Sequence, residues 1–185
     1  MTRRGLGRRL WGAMRLDADA YEEVEADPDS IRQAVLVVAL AAFASGAGTA
    51  LRLSAAGVPP RRVAFQTAVS LLLPPLVWLG GSAFAYMTGA TFFRSHATRT
   101  DFREVLRTTG FAFAPGLLLA AQALPPASLG LGVSWLGVLW TLAGGVVAIR
   151  QALDFTTLRA LATFGSAALL LWVLVWGLVV VPLPF

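Results

Sequence analysis

The sequence predicts an all-α polytopic membrane protein: five transmembrane helices, the second and third kinked, with a cytoplasmic N-terminus. Three observations point there. The 185 residues are 57% hydrophobic and only 14% charged, with a mean hydropathy of +0.70. A soluble domain carries about 25% charge. The charges are also clustered: the acids lie at Asp17 to Asp29, Asp101 to Glu104 and Asp154, and none follows Arg159. Long uncharged stretches lie between, as lipid requires, because a charge at mid-bilayer costs roughly 2.5–3.5 kcal/mol even on insertion scales. Finally, every basic residue is Arg, and the arginines flank the apolar runs unevenly. With the N-terminus inside, only Arg52, Arg61 and Arg62 fall outside, which satisfies the positive-inside rule.

Taken in order, residues 1–31 form an N-terminal cytoplasmic segment and residues 32–185 the five-helix domain. The first turns are basic and amphipathic. Leu6, Leu10, Trp11 and Met14 fall on one side at helical spacing, Arg8, Arg9 and Arg15 on the other. That pattern suits a helix lying on anionic lipid or a basic tail before the first span. The basic stretch runs into acids rather than an apolar core, so a cleaved signal is not expected. Residues 17–30 are acidic, and Asp27-Pro28 is a helix-start signal. The cluster has no histidine, and a solvated turn or partner-docking patch accounts for it without a metal.

Span 1 is expected over about Arg32–Leu51, with a small-residue face from Ala44 to Ala50 suited to close helix contact. Gly57, Pro59 and Pro60 break the chain before span 2, Ala64–Phe93. Pro74-Pro75 should kink or break that helix. The Arg-rich bridge Arg94–Thr109 follows, with Asp101 and Glu104 spaced as a capping box. The only histidine, His96, lies there without the partners that catalysis or metal binding needs. Span 3, Thr108–Leu124, carries Pro115-Gly116 and should bend. It is the shortest, so a four-span arrangement would make it re-entrant. Span 4 is Ser128–Ile149. In the next turn Arg150 and Asp154 are four apart and can pair, or Asp154 can cap span 5, Thr163–Val181.

No phosphate loop, HExxH or GxSxG occurs, and no acidic pair sits at mid-span. No enzyme, cofactor, metal or nucleic-acid partner is expected. The expected partners are membrane lipids, an unidentified membrane or cytoplasmic protein, and a second copy of the chain.

Three phrases together are familiar: RLDADAYEEVEADPDSIRQA (Arg15 to Ala34), TDFREVLRTTGFAFAPGLL (Thr100 to Leu119) and VVAIRQALDFTTLRALAT (Val146 to Thr163). In this order, with the spans, they resemble the bacterial branch of the Yip1-domain membrane proteins over nearly the whole chain. The resemblance implies five spans and a cytoplasmic N-terminus. Eukaryotic relatives are linked to Rab-type GTPases and vesicle traffic, a role not carried over here. The residues matching the family pattern are Tyr21, Glu22, Glu23, Asp27, Pro28, Phe102, Arg107, Pro115, Arg150, Gln151, Ala152, Asp154 and Arg159. Their physics suggests pairing at the cytoplasmic face, helix caps and one kink. Of these, Tyr21, Glu22, Glu23, Asp27, Pro115, Arg150, Asp154 and Arg159 are the candidate interaction or structural residues. A scaffold or adaptor in the cell inner membrane is the leading functional expectation, and a small permease built around the kinks is the alternative.

Overall fold

The structure is a computed structural model. It describes the backbone of residues 5–91 and 101–180, and the side chains of residues 5–89, 101–170 and 173. The central bridge arginines Arg94 and Arg99, and His96, lie outside the described residues.

Two short helices lead the chain: α1, Leu6–Met14, and α2, Ala18–Ala26. Asp17 caps α2, its carboxylate accepting from Asp19 N–H at 3.2 Å, as an N-cap acid should. Helix α3 runs Ser30–Ala55 and α4 Pro60–Thr91. They form an antiparallel pair, joined by a turn in which Gly57 takes φ +69°. Helix α5 is Phe102–Phe111, a 3-10 helix follows at Ala114–Ala123, and α6 and α7 run Ala127–Ala152 and Thr157–Val180.

The described residues do not build the expected five spans. Among the described residues three helices are long and apolar enough to cross a membrane: Ser30–Ala55, Pro60–Gly89 and Ala127–Ala152. The expected third span is instead split between α5 and the 3-10 helix. Ten residues of 3-10 helix rise roughly 20 Å, short of a hydrocarbon core about 30 Å thick. Proline and glycine at 115 and 116 explain the change of helix type. Pro115 has no N–H to give, and Gly116 N–H closes onto Phe113 O at 2.8 Å, three residues back. Of α7, Thr157–Val180, the apolar stretch among the described residues is Thr157–Leu170.

The chain does not break at Pro74-Pro75. Pro74 and Pro75 lie inside α4, which remains one helix through them. The helix start near the first acids shifts too. Helix α3 begins at Ser30, not at Asp27-Pro28. Asp27 makes a turn there instead: its side chain accepts from Asp29 N–H at 3.1 Å and its carbonyl from Ser30 N–H at 3.0 Å.

The segment from the end of α5 through the 3-10 helix is clasped by small residues at seven-residue intervals. Along α3 these are Ala34, Ala41 and Gly48, running parallel to it; along α6 they are Gly144, Gly137 and Gly130, running antiparallel. A Cβ at Gly48 would sit 2.5 Å from Leu119 O, and one at Gly130 2.4 Å from Ala121 O. Ala41 and Ala34 touch the places where Gly116 and Gly110 lack a side chain, at 2.9 and 2.7 Å. Seven residues are nearly two helical turns, so each row stays on one face. Without a hydrophobic drive between helices in lipid, such close backbone approach and the dispersion it brings hold the elements together.

Candidate functional site at the charged end

One end of the bundle carries most of the charge. There α1 and α2 lie across α5 and the C-terminal end of α6. Arg9 is the hub. It sits within the apolar stripe of α1: Leu6, Arg9, Leu10 and Ala13 follow the i, i+3, i+4, i+7 spacing of one face. The side chain is 2% exposed. Its Nη2 donates to Asp27 Oδ2 at 2.8 Å, its Nε to Glu23 Oε1 at 3.2 Å, and its Nη1 to Gln33 Oε1 at 3.1 Å. The guanidinium fork therefore ties α1, α2 and α3 together. A buried charge is tolerated because it is paired and its donors are used. Gly12 lets the two short helices meet, since a Cβ there would fall 2.5 Å from the Ala20 Cβ.

The C-terminal turn of α2 is closed by side chains from other elements. Ser30 Oγ donates to Val24 O at 2.8 Å, and Arg107 Nη2 on α5 donates to Glu25 O. Both carbonyls lie among the last four of the helix, which have no partner within it. A cation at that end also suits the helix dipole. Arg107 is buried and lies 3.9 Å from Glu104 Oε1. Glu104 in turn accepts from Asp101 N–H at 2.9 Å, completing the capping box read from the sequence.

Glu25 is only half-buried beside this cluster. Burial, together with Asp154, Glu104 and Glu22, raises its carboxyl from 4.5 to about 7, against the opposing pull of Arg107. Tyr21 is 1% exposed. Its hydroxyl has no hydrogen-bond partner among the described residues, and burial holds its proton on far above the ordinary tyrosine range. It lies against Gly144, where a Cβ would come within 3.2 Å of the oxygen.

The remaining candidates divide between this cluster and the surface. Glu22 accepts from Gln151 Nε2 at 2.8 Å, and Arg150 Nε donates to Gln151 Oε1 at 3.2 Å. Glu22, Gln151 and Arg150 thus form a chain linking α2 to the end of α6. Asp154 and Arg159 are exposed. Asp154 takes φ +51° and, among the described residues, makes no ion pair with Arg150. It does not cap α7 either, since that helix begins three residues later, at Thr157. Pro115 is remote from the cluster, in the first turn of the 3-10 helix.

Sequence reasoning placed Arg9 on the charged side of α1, and the structure turns it inward. Its position between Leu6 and Ala13 was the available signal. Trp11, assigned to the apolar side, is 62% exposed. Arg107 and Glu25 gave no local sign of their contact, which joins residues 82 apart.

A family model described as the Yip1 domain matches residues 11–179. The chain belongs to the Yip1-domain family. No curated protein and no solved structure matches it. The match begins inside α1, two residues after Arg9, and takes in α2, the 3-10 segment and the span helices. Yip1-domain proteins are a non-catalytic membrane family, and several apolar helices make this member a multi-pass membrane protein. Among the described residues no group of His, Cys, Asp and Glu is placed to hold a metal ion.

Proposed function

We propose that this Yip1-domain protein is a membrane scaffold or adaptor, and that its charged end receives a protein partner. The observation that carries the reading is the docked α1–α2 pair. Arg9, Ser30 and Arg107 fix these two helices to the bundle, so a partner would meet a preformed surface and lose little to ordering it. Asp17, Asp19, Glu22 and Asp154 lie exposed on or beside it, as do Arg8, Arg15, Arg103 and Arg159. We place this end in the cytosol, in the cell inner membrane. Arg8, Arg9, Arg15, Arg32, Arg103, Arg107, Arg150 and Arg159 lie toward it, against Arg52, Arg61 and Arg62 at the other end.

The structure also selects the residues to change. Glu23 and Asp27 hold Arg9, so neutralising them tests folding rather than docking. Asp19→Asn, Glu22→Gln and Asp154→Asn alter the exposed face. Crosslinking in native membranes, with mass spectrometry of captured proteins, should show partners of the wild type that this triple variant loses at unchanged abundance. An identical set of crosslinked proteins from both would overturn the proposal. A permease draws less support, because the cleft between the helices is almost wholly apolar.

A further inference from the structure

At mid-depth of the bundle a cleft of about 340 Å³ lies between α3, α4, the junction of α5 with the 3-10 helix, α6 and α7. We propose that it holds one acyl chain of a membrane phospholipid. Its walls are apolar, with Leu73, Val77, Leu142, Phe164 and Ala167 prominent, and no charged residue lines it. Most of the polar groups in its wall are already engaged. Ser82 and Thr109 hydroxyls bond each other at 2.8 Å, Thr141 donates to Gly137 O at 2.9 Å, and Trp78 Nε1 donates to Leu106 O at 3.0 Å. An ordered water needs two to four polar partners, so the cleft does not suit water or a hydrated solute.

Depth and access decide between apolar occupants. Much of the lining comes from the middle of α3, α4 and α6, which among the described residues are the helices long and apolar enough to cross a membrane. Leu73 and Leu142 are 50% and 45% exposed, so the rim opens onto the outer surface of the bundle at hydrocarbon level. Lipid chains are the medium there. A helix of another copy, about 10 Å across with its side chains, is too thick for a space walled on several sides by helices, whereas one extended chain fits. Filling the space restores dispersion contacts that the walls otherwise lack.

Gly81 supplies the test. It lines the cleft, and a Cβ there meets nothing within 4 Å, so the side chain of Gly81→Leu can leave the backbone freely and take up space in the cleft. Gly132 is equally open but lies outside the lining, which makes Gly132→Leu the control. The full chain is reconstituted in vesicles of phosphatidylethanolamine and phosphatidylglycerol containing phosphatidylglycerol with a diazirine at mid-chain. After photolysis, peptide adducts are mapped. The expected result is enrichment at Val77, Leu142 and Phe164 over the outward-facing Leu76 and Leu136, lost in Gly81→Leu and kept in Gly132→Leu. Equal labelling of cleft and outer residues in the wild type, or enrichment that survives Gly81→Leu in a folded protein, would overturn it. A second measurement needs no variant. In detergent micelles, unlabelled phosphatidylglycerol should displace the probe from the cleft residues; labelling there that excess phosphatidylglycerol leaves unchanged would refute the assignment.

Discussion

Replacing Arg9 by Met tests the account of the charged end most directly. Methionine keeps much of the aliphatic stem and removes the fork. Glu23 and Asp27 then lose their shared cation, and Gln33 loses a donor. Breaking one side of a fully buried ion pair costs about 3–5 kcal/mol. Here Asp27 and Glu23 are 13% and 25% exposed, so water recovers part of that, and about 2–4 kcal/mol is the reasonable range. The loss should fall on local opening of α1 and α2, because the spans are packed independently of it. The sequence contains no cysteine, so a single Val24→Cys, at a site 1% exposed, reports that opening to a membrane-impermeant maleimide. At about 1.4 kcal/mol per tenfold, labelling should rise roughly 30- to 1,000-fold in Arg9→Met, and Arg9→Lys should fall between it and the wild type. Labelling within twofold of the wild type would refute the claim that Arg9 holds the clasp.

Other outcomes follow from the same geometry. Gly48→Ala and Gly130→Ala drive a methyl group onto main-chain oxygens of the 3-10 helix. Each should cost about 1–3 kcal/mol, seen as a lower melting temperature in detergent, while Gly132→Ala should be neutral or slightly stabilising. Glu25 gives a pH dependence whose sign is fixed. Its carboxyl is raised in the folded state, so the clasp carries no penalty from it below pH 4.5 and the full penalty only above about 7. Val24→Cys labelling, divided at each pH by that of an exposed control cysteine to remove the rise in thiolate, should therefore increase from pH 5 to 7.5, by no more than the equivalent of about 1 kcal/mol given the group's partial exposure. Glu25→Gln should flatten that profile. Trp78→Phe removes the donor to Leu106 O and should lower stability by about 1 kcal/mol or somewhat more, measured by thermal unfolding.

The sequence alone determined the solvent. Runs such as 34–51 and 163–181 carry too few charges for anything but hydrocarbon or a buried core, and the Asp101–Glu104 cap and the Gly57 break are local chemistry, legible from neighbouring residues. Tertiary structure decided how many of those runs become spans. Hydropathy counts apolar residues but not their rise, so the stretch after Thr108 reads as a third span until Pro115 and the facing glycines of α3 and α6 set its helix type. It also decided which arginine is buried. Spacing puts Arg9, unlike Arg8 and Arg15, in the stripe with Leu6 and Ala13, but its partners Asp27, Glu23 and Gln33 come within reach only in the folded chain. A charge can leave water only where several elements converge on it, and that convergence is a property of the assembled chain.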